Sequence, residues 1–150
     1  KALGEADLIV VCPGTPHSSI IPNFLPTGMR EAFKKSKAKK VFVCNLMNKF
    51  GQTDGFTLAD HVHEMEKYAG QNVFDYVIYN SRQPRPELLK RYKKEGDPVI
   101  LATRGKNNII EADVIAEEIS KPSKKSADVL HRTLIRHDPK KLAKIITSIL

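Results

Sequence analysis

Four short, largely apolar runs, each stopped by turn residues, constrain this chain most. They read A-D-L-I-V-V over 6–11, K-V-F-V-C over 40–44, F-D-Y-V-I-Y over 74–79 and P-V-I-L-A over 98–102. Each is too short for a buried helix and apolar on both sides of a pleated chain, so each predicts a strand covered from both faces. Segments with helical spacing separate them. Strand, crossover helix and strand, repeated, predict an α/β fold with a doubly wound, mostly parallel, Rossmann-like sheet. Pro98 at the head of the fourth run predicts an outer strand. Asn108–Glu111 and Asp113–Ile115 read as short extended pieces.

The helices carry start and stop signals. Ile20 to Leu25 fits one short turn around Pro22, and Thr27 stands where it can cap a helix from Gly28 to about Lys37. Thr57 caps a helix over Leu58–Ala69, where Leu58, Val62, Met65 and Ala69 form one apolar side and Gly70 closes the end. Pro86 opens a helix that runs to Glu95, and Gly96 ends it. Ser120–Ser126 is turn-rich. Asp138 and Pro139 start a last helix whose apolar face is Leu142, Ile145, Ile146 and Ile149.

At 150 residues the chain makes one domain or a piece of a larger one. It opens on Lys1 without Met and reaches a strand almost at once, which predicts a piece. No run of about 18 apolar residues suggests a membrane span, and no apolar stretch at the start suggests a signal peptide. Cys12 and Cys44 read as two buried strand thiols, which points to a reducing, cytoplasmic setting. The net charge of +8 is concentrated. Residues 121–150 carry eight Lys or Arg against two Asp, and residues 30–40 carry six against Glu31. Such faces attract anions. No nucleic-acid motif accompanies them, so solvated helix faces or a small anionic ligand explain them better than nucleic acid.

In open α/β sheets ligands bind beyond the C-terminal strand ends. Two polar loops lie there. In the first, Gly14 lets the backbone approach a ligand, Thr15, Ser18 and Ser19 offer hydroxyls, and His17 can donate to a phosphate. The alternative is a rigid turn with a helix cap and an exposed histidine. The second loop, Asn45–Thr57, is long for an unstructured connection. Asn45 can read a ring edge or hold the neighbouring loop, while Thr53 and Asp54 offer a hydroxyl and a carboxylate; an Asx turn at Asp54-Gly55 is the plainer account. Asn80 and Arg82 follow the third strand, and Arg82 either forks to a phosphate or stays solvated. Arg136 and His137 either reach an anionic ligand or simply precede the Asp138 cap. His61 and His63 do not share a helix face and make a poor zinc pair. Ser19, His61 and Asp54 lack the elbow of a hydrolase triad.

The stretch from Cys12 to Asn23, C-P-G-T-P-H-S-S-I-I-P-N, resembles the G-P-G-S-x-x-x-S-I-x-P-N motif of the 2-phospho-L-lactate transferase family. Lys40 to Met47 and Gly51 to Phe56 are similar to its K-x-V-Y-V-x-N-L-M-x-x-x-G-E-T-x-G-[FY] stretch. Thr57–Val62 and Ile135–Ala143 resemble the family as well. The likeness is nearest the bacterial gluconeogenesis factor, or UPF0052-type, proteins. Cys12 replaces a glycine, Thr15 a serine and Gln52 a glutamate. Family members are about twice this long and open on a glycine-rich loop absent here. The resemblance therefore implies that residues 1–150 form the C-terminal portion of such an α/β domain.

By resemblance, Gly14, Thr15, Ser18 and Ser19 would line a phosphate region, and Asn45, Thr53 and Asp54 would face the acceptor or base. Asp54 is then the candidate catalytic carboxylate. The resemblance implies a binder of nucleotide-linked ligands of the UDP-sugar type, with a regulatory role in carbon metabolism. An alternative is a transferase that moves a phosphoester group from a guanosine diphosphate-type donor to a deazaflavin hydroxyl. Only that reading implies magnesium. A third is a non-catalytic interaction domain. A homodimer is expected, with no membrane partner.

Overall fold

The computed structural model describes residues 1–101, 108–117 and 135–150. In order, the elements are α1 (Ala2–Glu5), β1 (Leu8–Val11), α2 (Met29–Lys35), β2 (Lys39–Val43), α3 (Leu58–Ala69), β3 (Tyr76–Asn80), α4 (Pro86–Tyr92), β4 (Ile109–Ala112) and α5 (Pro139–Thr147). Between β1 and α2 the chain makes a wide helical turn, Pro16–Ile20, and a tight one, Ile21–Phe24. The expected Ser120–Ser126 turn lies outside the described residues.

The sheet has the order β1-β2-β3-β4, and every described pairing is parallel. Strand side chains alternate between faces, and two cores follow from that alternation. Phe42, Cys44, Val77 and Tyr79 join Leu58, Val62, Met65 and Ala69 of α3 on one face. Val41, Val43 and Ile78 join Leu88 and Tyr92 of α4 on the other, where Leu142, Ile145, Ile146 and Ile149 also pack. Helices thus cover both faces, as a parallel sheet requires.

α3 forms as its spacing predicts, and its start is a full capping box. The Thr57 hydroxyl accepts from the Asp60 N–H, and the Asp60 carboxylate accepts from the Thr57 N–H at 2.9 Å. Hydrogen bonds from Thr57 hold the Asp60 carboxyl below its usual range. Asp138 caps α5 through the N–H groups of Lys140 and Lys141.

Four expectations need correction. The fourth strand is Ile109–Ala112, which pairs with β3 from Val77↔Ile109 to Asn80↔Ala112. The 98–101 run makes only isolated bridges, Met47↔Pro98 and Thr57↔Ile100, while Val99 turns inward and its carbonyl accepts from the Tyr79 hydroxyl. Thr27 does not cap α2, because Gly28 holds the cap position at φ 81°, a left-handed backbone suited to glycine. α4 ends at Tyr92 rather than Glu95, since residues 95–98 are drawn into pairing with 47–50. Finally, Cys12 is exposed, whereas burial pushes the Cys44 thiol up to about 12 and keeps it protonated.

Candidate functional site

The site begins with a joint between the first two strand-end loops. The Gly14 N–H donates to Asn45 Oδ1 at 2.9 Å, and Asn45 Nδ2 donates back to the Gly14 carbonyl at 2.9 Å. Ile20 closes over the same turn, leaving little room at Gly14, where a Cβ would lie 2.7 Å from Ile20 Cδ1. Thr15 sits beside this joint on the open side.

Beyond Asn45 the chain builds a short antiparallel ribbon with the segment after α4. The Asn48 N–H donates to the Asp97 carbonyl at 2.6 Å, and the Phe50 N–H donates to the Glu95 carbonyl at 2.9 Å. Gly96 permits this approach: a Cβ there would overlap the Asn48 carbonyl oxygen and lie 2.7 Å from its carbon. Under the ribbon, Asn48 is 1% exposed and His61 is 0% exposed. Asn48 Nδ2 donates to the Phe56 carbonyl at 2.9 Å, so its Oδ1 receives the His61 Nε2 proton at 2.8 Å. His61 Nδ1 is buried without a partner. A second proton there would meet no acceptor, and burial lowers the ring pKa to about 4.

A third segment completes the wall. Ile115 bridges His137, whose Nε2 is buried without a partner. Burial lowers the His137 pKa as well. The three segments enclose a cleft of about 600 Å³ at the C-terminal ends of β1 and β2. Gly14, Thr15, Asn45 and Asn48 line it together with the apolar Pro13, Met47, Tyr92 and Ile135. Its charged groups are Lys49, Lys94 and Arg136 against Glu95. Phe50 is half-exposed in the same lining. Three cationic side chains against one carboxylate leave an excess of positive charge, which favours an anion.

Of the residues singled out in the sequence, Gly14, Thr15 and Asn45 meet in this cleft. Arg136 and His137 join them. The others stand elsewhere. His17 leaves the cleft and contacts Glu64 Oε1 at 3.2 Å. Ser18 and Ser19 are exposed on the wide turn, and the Ser19 N–H is bonded to the Thr15 carbonyl. Thr53 is 1% exposed, with its hydroxyl accepting from the Lys49 N–H, so it shapes its own loop. Asp54 is exposed at the loop tip and accepts from the Gly51 N–H. Asn80 links the ends of β3 and β4 by accepting from the Val114 N–H. Arg82 pairs with Asp113 and Glu117, both at 3.1 Å. Lys49, Asn48, Lys94 and Glu95 were not read from the sequence as site residues. Asn48 and Lys49 lie in the long polar loop that was singled out, while the K-K-E-G run before Pro98 was the only signal for Lys94 and Glu95, and it reads first as a helix end.

Among the described residues, no group of three or more His, Cys, Asp or Glu side chains is arranged to hold a metal ion. Their donor set does not fit a magnesium ion held by protein carboxylates alone. Among the same residues no helix is long and apolar enough to cross a membrane.

A family model described as 2-phospho-L-lactate transferase CofD matches residues 1–120. The chain belongs to the CofD family. Relatives of this chain carry the names gluconeogenesis factor and putative gluconeogenesis factor. A Thermotoga maritima relative is 44% identical over 150 residues, covering 99% of this chain and 46% of its own length. The Bacillus subtilis gluconeogenesis factor is 31% identical over 146 residues, covering 97% of this chain and 44% of its own. A crystal structure of a Bacillus halodurans protein matches with a TM-score of 0.80 at 28% identity, over 97% of this chain and 44% of that one. This CofD-family chain therefore spans less than half the length of these relatives.

Proposed function

We propose that the cleft between the β1 and β2 loops binds the phosphate end of a nucleotide-linked anionic ligand of the UDP-sugar type, and that the protein is a ligand-responsive regulatory factor in carbon metabolism. One observation carries the reading. Lys49, Lys94 and Arg136 line one cleft with Gly14 and Thr15, at the C-terminal strand ends where α/β proteins take their ligands. Gly14, Thr15 and Asn45 are the expected residues that stay in this reading. It takes residues 1–150 as the C-terminal portion of a CofD-like domain, in a cytoplasmic homodimer.

The family description also supports a transferase acting from a guanosine diphosphate-type donor to a deazaflavin hydroxyl. Asp54 would be its carboxylate, although it is turned to its own loop at Gly51. Calorimetry on the protein at its native length separates the two. Binding of UDP-N-acetylglucosamine without magnesium, weakened about tenfold or more by Lys49→Ala with Lys94→Ala, supports the binding protein. A magnesium-dependent preference for GDP supports the transferase. Binding that neither substitution changes refutes the cleft.

A further inference from the structure

A single exposed apolar side chain on a soluble protein needs no explanation of its own. The large hydrophobic residues exposed among the described ones are Leu25, Phe50, Ile100 and Leu150. Phe50 is the aromatic one, 47% exposed, and it alone of the four lines the cationic cleft. It follows Lys49 directly. It is also held firmly, because its N–H donates to the Glu95 carbonyl at 2.9 Å and the ribbon beneath it is closed by the Gly96–Asn48 approach. The ring is therefore presented from a fixed backbone, in the lining of a cleft whose charged groups are mostly positive.

A ligand that satisfies both parts has a phosphate at one end and a flat, apolar-faced ring at the other. Inorganic phosphate or a sugar phosphate would leave the Phe50 ring in water. From this we infer that Phe50 is the stacking platform for the planar heteroaromatic ring of the ligand, and that the cleft selects nucleotides over simple phosphates. The inference rests on the anion reading of the cleft. Stacking on a phenyl face tolerates any base, so Phe50 supplies preference for a ring and not for one base over another.

The test uses the protein at its native length and three probes: UDP, GDP and inorganic pyrophosphate. In the unaltered protein both nucleotides bind more tightly than pyrophosphate. Phe50→Ala lowers the nucleotide-to-pyrophosphate affinity ratio about tenfold, while Phe50→Trp keeps it. Phe50→Trp also introduces an indole in the cleft lining, whose emission, read as the difference from the unaltered protein, changes with the nucleotides and not with pyrophosphate. An unchanged ratio in Phe50→Ala overturns the proposal, as does an indole response equal for all three probes. Pyrophosphate binding that Lys49→Ala with Lys94→Ala weakens keeps the anion reading even then. Failure of pyrophosphate and nucleotides alike to bind removes both.

Discussion

Gly96→Ala probes the packing that makes the cleft. The glycine has no space for a methyl group, and what stands in the way is the Asn48 backbone, which no rotamer change can move. The ribbon must open. Two ladder hydrogen bonds then lengthen or break, Asn48 to Asp97 and Phe50 to Glu95, at about 1 kcal/mol each. Moving Asn48 also disturbs its buried bond to His61, which adds at least about 1 kcal/mol. The sum is about 3 kcal/mol, a large share of the roughly 5–15 kcal/mol that holds a domain folded. For a chain of this size it corresponds to a fall in Tm of about 6–12 °C. Thermal unfolding followed by circular dichroism reads it. Gly4→Ala is the control, since nothing lies within 4 Å of a Cβ there. A Gly96→Ala protein that melts within about 2 °C of the parent would refute the account of the ribbon.

Two further outcomes are expected. His61 is neutral in the fold, with its pKa lowered from 6.5 to about 4. The unfolded chain therefore binds the extra proton first: the contribution is complete above pH 6.5, is lost as pH falls toward 4, and amounts to about 3 kcal/mol. Urea midpoints at pH 7.5 and 4.5 should differ less in His61→Gln than in the parent, and equal differences would contradict the buried neutral ring. Thr57→Ala should cost about 1 kcal/mol by opening the capping box, whereas Thr27→Ala should stay within about 0.5 kcal/mol; equal losses in denaturant titrations would contradict the cap assignment.

The parts of the fold legible in the sequence were those decided locally. β2 and β3 are β-branched and aromatic runs with no rival use, and α3 and α5 carry a cap, a spacing and, for α3, a glycine stop. The fourth strand was not legible, because P-V-I-L-A and I-I-E-A offer similar apolar content and only long-range pairing chooses between them. Asn108 donates to the Phe74 carbonyl and sets the register of the second run, while Val99 enters the core beneath Tyr79. The site divides in the same way. Gly14 and Asn45 follow strand ends and were expected to meet a ligand or each other. Thr53 and Asp54 looked equally available in the sequence, yet their polar atoms are engaged by Lys49 and Gly51 amides within one loop. Lys94 and Glu95 reach the cleft through a ribbon between two connections, a contact that leaves no periodic signal.

The Asn45 side chain also changes what counts as sheet. Its primary amide has the donor and acceptor of a peptide group, and it faces Gly14 as one strand faces another. The β1–β2 ladder therefore gains a rung beyond the last backbone pair, and that rung is written in a side chain. A backbone rung survives nearly any substitution; this one does not. Replacing Asn45 by Asp keeps its shape but sets a second acceptor against the Gly14 carbonyl, so the first loop must swing away while the strands below stay in register. The mouth of the cleft can thus be reshaped by a single nitrogen-to-oxygen exchange, leaving the scaffold that carries it untouched.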